Sequence, residues 1–537
     1  MKQSFFVFAL LSSAFFAQAQ DEITYSEHIA PIIYSKCTNC HRGGEIGPIS
    51  FTSYEEVSEW AGMIKYVTQI KYMPPWPPNP EYNHFVGERV LDEEEIQMIS
   101  DWVDAGTPRG DPAKEPPLPQ FTSGSQVGTP DLVLSMSEQY SIEGNNRDDY
   151  RVFVLPTGFT EDTEIASIEF RPDNKRAVHH VLIAYDVSGR AAARDAQSPD
   201  VYGYPSFGDF GISEAVQLSW VYVPGISPVV YPEGIGHTIP AGADLLIQVH
   251  YAPLPTDEVD KSSVNIFFKD ASDPIEREVN QGLVFPELLP NGFFDFVIRP
   301  NTKPTFTARG IVVGNQEIQN IPFDISLISV LPHSHYLGKS YEIFAVTPSL
   351  DTLNIIQIED WDFNWQGSYT MERMLKIPAG SRLFTIASYD NTTDNPANPS
   401  NPPRTATWGD GSQDEMLVAF FYFVPYQDGD EDIDMGGGTI VSTKDVVADN
   451  GNRLLPPIPN PTRGQVELTF SLQQKESLQF ELYATDGRRL QVIAGESDWP
   501  AGDHQLSFDA SALPNGAYLV QMKGASYVLT QRLVVLR

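Results

Sequence analysis

Short apolar runs, rich in β-branched and aromatic residues, alternate with glycine- and proline-marked turns over most of this chain. The clearest are RAVHHVLIAYD, ADLLIQVHY, LISVLPHSHYLG and EMLVAFFYF, which read as strands or strand ends. PEGIG, PAGAD, LPNG and PAGS punctuate them as turns, so the middle of the chain is expected to be all-β. The amino-terminal part departs from this rhythm. EHIAPIIYSK and DEEEIQMISDWVDAG predict helices; the second opens on Asp92, Glu93, Glu94 and Glu95, where the helix dipole favours negative charge, and stops before Gly106. Near the carboxyl end QVELTFSL, ELYATDGRRLQVI and LPNGAYLVQMKG, broken at Asp486-Gly487 and Asn515-Gly516, predict another small β-sandwich.

At 537 residues the chain exceeds one core and predicts about three or four domains. Breaks show as composition shifts: a proline- and serine-rich stretch near 109–126 and an acidic, glycine-rich one near 428–438. Lys2, the apolar run FFVFALLSSAFF and Ala17-Gln18-Ala19 form a secretory signal over residues 1–19, with cleavage expected after Ala19. That run is too short for a lasting anchor and no later stretch reaches about eighteen apolar residues, so no stable membrane insertion is expected. Thirty-five basic against 71 acidic residues give a formal charge of −36, which argues against nucleic acid or an anionic membrane surface as partner. DEEE and DGDED lack the ligand spacing of an EF-hand, so no calcium site is assigned.

Candidate chemistry lies in His179-His180, His250, His333-Ser-His335 and Met416, all within the predicted strands. Imidazole and thioether without thiolate suit copper that cycles between Cu(I) and Cu(II). His333 and His335, two apart, can leave a strand on one face; adjacent His179 and His180 would point to opposite faces unless a strand end or a local twist intervenes. Taken singly, each histidine reads first as a core or surface residue, and only the whole ordered set outweighs that.

The ordered set HH, QVHY, HxHxLG and DEM, over roughly residues 129–430, resembles the copper type II monooxygenase family of peptidylglycine α-hydroxylating monooxygenase and dopamine β-monooxygenase. The resemblance implies two antiparallel jelly-roll β-sandwiches, over 129–285 and 286–430, facing a solvent-filled cleft with one copper on each. It implies an electron-transferring copper on His179, His180 and His250, and a catalytic, oxygen-binding copper on His333, His335 and Met416, the two sites being independent. Gln248, on the same strand face as His250, would order water on the electron relay, while His237 and Tyr251 read as structural. The polar groups with which peptide-amidating members grip their substrate are replaced here by Leu331, Val418 and Phe420. A small apolar or aromatic molecule is therefore the expected co-substrate of O2.

Cys37-Thr-Asn-Cys40-His41 is the attachment pattern of a covalent c-type heme, with His41 as proximal iron ligand; a disulfide or a zinc half-site is the alternative. Residues 20–110 resemble a cytochrome c domain. Met73, in KYMPPW, is the favoured distal ligand over His28 and His84, with Met63 and Met98 assigned to the core. No cysteine remains for a disulfide. An external donor would reduce this heme, which would pass electrons on to the copper of His179, His180 and His250. Residues 456–537, with PNPTRG and GAYLV, resemble the sorting domain of type IX secretion, implying that machinery as a partner and no catalytic residue in the tail. The expected protein is exported through the periplasm of a Gram-negative bacterium to the surface or medium. A copper and heme electron carrier or sensor without hydroxylase activity is the rival expectation.

Overall fold

The computed structural model describes residues 22–535 apart from 44, 120–124, 198–200, 207–208, 288–294, 315, 410, 437–445, 448–451, 456, 461, 485–488, 515 and 525–527. The secretory signal, Asp486-Gly487 and Asn515 lie outside the described residues. The chain forms two compact units, one running to Pro74 and resuming over Arg89–Pro119, the other comprising Pro75–Glu88 and everything from Gln120.

The smaller unit is helical. Ala30–Lys36, Tyr54–Glu59, Ala61–Gln69 and Glu93–Asp104 surround a core of Tyr25, Ile29, Ile33, Val57, Ile99 and Trp102. The last helix begins where the acidic run predicts: Asp92 Oδ1 accepts from the Glu95 N–H at 2.7 Å and Glu95 Oε2 from the Asp92 N–H at 3.0 Å, a reciprocal cap. Gly106 follows its end at φ +84°, the left-handed geometry that favours glycine. Met98 packs against the core, but Met63 does not: Ala61, Ile64 and Thr68 supply the buried face of its helix, which leaves Met63 54% exposed on the other side.

The larger unit is mainly β and holds several sheets. In its first sandwich one sheet orders Leu132–Ser135, Ser263–Phe268, Thr163–Arg171, Ile235–Ile239 and Arg277–Glu278; the other orders Tyr204–Pro205, Asp149–Pro156, Asp244–Tyr251, Val178–Asp186 and Val216–Tyr222. Ile165, Ile168 and Phe170 from the one meet Phe153, Ile183 and Ile247 from the other in a single core. The second sandwich sets a six-stranded sheet, with Asn280–Val284, Val418–Pro425, Ile325–His333 and Tyr369–Ile377 in that order, against a four-stranded one, Thr305–Arg309, Arg382–Tyr389, Gly338–Val346 and Thr352–Ile358. The strand Ile325–His333 is buried almost throughout because both its faces are covered. Leu327 and Val330 enter the core of their own sandwich, while Ile328, with Tyr422 and Val424 of the neighbouring strand, enters that of the first. Two four-stranded sheets close the chain around Leu468, Phe470, Phe480, Leu482 and Val520.

Candidate metal centre

A register event solves the problem posed by adjacent histidines. Along Val178–Asp186, Val178 pairs with Tyr251 and His180 with His250, so two steps on one strand match one step on the other. His179 is the extra residue of a β-bulge, and the local bend brings both imidazoles to the side of His250. The Nδ1 atoms of His179 and His250 each lie 3.2 Å from Nδ1 of His180. Candidate ligand atoms of all three residues fall within 4.8 Å of one another. The His250 Nε2–H donates to Asp148 Oδ1 at 2.7 Å and its ring stacks on Tyr150 at 4.2 Å, which fixes the tautomer and leaves the Nδ1 lone pair for a metal. Three neutral imidazole nitrogens on one point fit a copper ion.

The second group is built with the opposite tautomer. His333 ends its strand and donates Nδ1–H to Gln366 Oε1 at 2.5 Å; His335, just beyond the strand, donates Nδ1–H to the Asp414 carbonyl at 3.3 Å. Both present Nε2. Between them Ser334 turns inward, bonding the Tyr341 and Tyr389 hydroxyls at 2.9 and 3.0 Å and the Met416 carbonyl at 2.9 Å. Glu415, fully buried, takes the N–H groups of His335, Met416 and Leu337 at 2.5, 2.8 and 2.9 Å. Burial pushes its carboxyl up to about 8 against the pull of these donors. The histidine turn and the methionine loop are thereby tied into one piece.

The two groups adjoin where a solvent-filled cleft was expected. The His180 and His333 ring centres are 6.1 Å apart, and Phe363 stacks on His179 at 4.8 Å while meeting His335 edge-on at 5.8 Å. Asp148 spans the sandwiches, because its second oxygen accepts from Ser412 Oγ at 2.6 Å. A cavity of about 240 Å³ opens on His180, His333, His335 and Met416, and Leu331, Val418 and Phe420 also line it. Gln248 also lines it, and its amide donates to the carbonyls of Ser206 and Asp209. His237 bonds Ser219 Oγ at 2.7 Å, and Tyr251 bonds Asp260 at 2.9 Å under a stacked Tyr140; both are structural. Asp148, Gln366, Ser334 and Glu415 are the site residues that sequence reasoning missed. Only Glu415 left a trace there, an acid at the entry of an apolar strand.

Burial alone holds His333 down to about 4; burial with repulsion among neighbours holds His179 to about 4, His335 to about 3, and His180 and His250 well below their ordinary value. The unfolded chain therefore binds these protons first. Their contribution to stability is whole above the unfolded value of 6.5 and is lost as pH falls from there through about 4. Urea midpoints of the metal-free protein should drop steeply over that interval, and copper should flatten the profile; a midpoint unchanged across it would contradict the burial of these rings.

In the helical unit the CTNCH turn is closed by His41 N–H to Cys37 O at 2.9 Å and Gly47 N–H to Cys40 O at 2.9 Å. His41 donates Nδ1–H to the Ile49 carbonyl at 2.9 Å and stacks on Phe51 at 4.5 Å, leaving Nε2 available as an iron ligand. A Cβ on Gly47 would lie 2.8 Å from His41 Nδ1, so only glycine fits there. Cys37 and Cys40 are not joined in a disulfide, and this arrangement fits a c-type heme. Met73 is half-buried near the end of the unit's first segment, its N–H on the Val67 carbonyl at 3.1 Å. His28 accepts the Thr24 N–H at 3.1 Å, whereas His84 is 63% exposed, pairs with Glu88, and belongs to the larger unit.

Residues 294–434 match the family described as copper type II ascorbate-dependent monooxygenase, C-terminal domain. The chain carries the C-terminal domain of a copper type II monooxygenase. Copper and oxidoreductase chemistry go with that domain, whose matched span includes His333, His335 and Met416. Residues 458–536 match the secretion system C-terminal sorting domain, which marks the protein for export to a secreted or cell-surface state. No helix among the described residues is long and apolar enough to cross a membrane. Among solved structures the chain is similar to the adhesin domain of Epf from Streptococcus pyogenes, at 11% identity over 48% of this chain and 92% of that one with a TM-score of 0.13. It is similar also to Bacteroides uniformis beta-glucuronidase 3, at 10% identity over 46% and 28% with a TM-score of 0.11. Likenesses this slight carry no argument.

Proposed function

We propose that this protein is a secreted copper monooxygenase that hydroxylates a C–H bond of a small, largely apolar substrate, drawing its electrons through a fused c-type heme in place of free ascorbate. The observation that carries the reading is the meeting of two imidazole sets beside one apolar cavity, which His180 of the one and His333 and His335 of the other line. His179, His180 and His250 would hold one copper; His333, His335 and Met416 would hold the other. When bound, the two metals would supply the electrons for placing one atom of O2 in the substrate and releasing the other as water. Asp148 and Gln366 hold protons on His250 Nε2 and His333 Nδ1, so that the remaining nitrogens stay unprotonated. Leu331, Val418 and Phe420 exclude water around the substrate and offer no grip for a carboxylate. Cys37 and Cys40 would anchor the heme, with His41 and Met73 as iron ligands.

The test joins metal analysis to turnover. Two coppers and one covalent heme per chain are expected, with roughly half the copper lost in His179→Ala. Under a reductant, a panel of small aromatic and aliphatic compounds should include one that stimulates O2 uptake and gains one oxygen atom by mass spectrometry. O2 uptake that no compound stimulates, with copper and heme both present, would favour an electron carrier or sensor.

A further inference from the structure

Between its two helical segments the chain leaves the helical unit: Pro75–Glu88 belongs to the larger one and is held there as a strap. Asn79 donates its N–H to the Gln357 carbonyl at 2.8 Å and its side-chain amide to Gln357 Oε1 at 2.7 Å. The Val86 N–H reaches the Thr370 carbonyl at 2.8 Å, and the Glu372 N–H returns to the His84 carbonyl at 3.2 Å. Phe85, only 3% exposed, is part of the second sandwich's core. A connection pinned at so many points is more than a surface loop.

At the start of the strap Trp76 meets Tyr369 edge-on, ring centres 5.8 Å apart, and Phe85 approaches the same ring at 5.6 Å. Tyr369 in turn lies against Gly367: a Cβ there would sit 2.9 Å from the tyrosine Cζ, so only glycine admits the ring. Gly367 and Gln366 line the cavity, and Gln366 Oε1 holds the Nδ1–H of His333 at 2.5 Å. Contacts thus run without a gap from Trp76 through Tyr369 and residues 366–367 to His333.

The geometry points to this strap as the electron entry of the second sandwich, a route that rests on the heme-fed monooxygenase reading given above. One electron leaves Fe(II) at His41, giving Fe(III), and reduces Cu(II) at His333, His335 and Met416 to Cu(I); no bond or proton is exchanged. Trp76 follows Met73, the proposed second iron ligand, by three positions, so the backbone itself joins the iron to the indole. Asn79, Asn83, His84 and Val86 all bond strands of the second sandwich, and this points the entry to the methionine-containing site in place of the three-histidine site expected from sequence. Tunnelling falls off exponentially with the gap to be crossed, and an aromatic pair in contact shortens that gap.

In the full chain loaded with heme and copper, photoreduction of the heme without oxygen should produce a reoxidation phase, read from the heme absorption band. Trp76→Leu is expected to slow it on the order of tenfold with copper content and heme spectrum unchanged. Trp76→Phe, which preserves the packing, should fall between and decides the matter if the leucine variant loses either metal. His333→Ala should abolish the phase. An unaltered rate in the Trp76 variants, or a phase that survives His333→Ala but is lost in His179→Ala, overturns the inference and leaves the enzyme reading intact. A wild-type heme that never reoxidises while both coppers are oxidised overturns both.

Discussion

Glu415→Ala is expected to destabilise the second sandwich by about 3 kcal/mol or more, since each buried donor left without an acceptor costs about 1–3 kcal/mol. The side chain serves three such donors, the N–H groups of His335, Leu337 and Met416, and no water reaches a residue buried this completely. Its loss should also release the turn that aims His335 from the loop that aims Met416, so copper at that site should fall while the three-histidine site stays filled. Glu415→Gln keeps one acceptor oxygen and sets an amide against an N–H, so an intermediate loss is expected. Urea denaturation of the metal-free protein, followed with copper analysis, measures both effects. An alanine variant within about 0.5 kcal/mol of wild type would show that the backbone donors find other partners.

The next largest effect is expected at Asp148. Its carboxylate holds the proton on His250 Nε2, and replacing such an outer partner typically costs about 10–100-fold in metal affinity. Asp148→Ala should weaken copper at His179, His180 and His250 within that range in a chelator competition. Ser412→Ala, which spares the contact with His250 and removes only the bond from the other sandwich, should leave that affinity close to wild type. Equal affinities in the aspartate variant and wild type would mean that Tyr150 and the strand alone orient His250.

The candidate ligand residues were legible because each sits in a local apolar run whose period announces a strand or its end. What was not legible is what long-range pairing creates. The bulge at His179 exists only once Val178 and His180 meet Tyr251 and His250, partners some seventy residues away. Asp148 lies 102 positions from the histidine it orients, and Gln366 lies 33 from His333, in segments that look like polar loops. The strap reads as part of the helical domain because its prolines and polar residues give no period; Pro78 and Phe85, which are buried, and Trp76, which packs on the second core, assign it elsewhere only once the sandwich is formed. Met63 was misjudged for a related reason: a helical spacing of apolar residues marks two possible faces, and packing against Glu93–Asp104 chose the other.

The three-histidine arrangement depends on a count as much as on residue identity. Deleting the single codon for His179 would restore one-to-one pairing along Val178–Asp186, with Val178 still opposite Tyr251 and His180 still opposite His250. The strand would lose its bend, and nothing in its ladder would be missing. Such a chain is expected to fold as well as the parent or better while offering two imidazoles where three stood. Run in reverse, the same step is a one-residue insertion that turns an ordinary antiparallel pair into a metal site, a short evolutionary path from inert scaffold to cofactor holder.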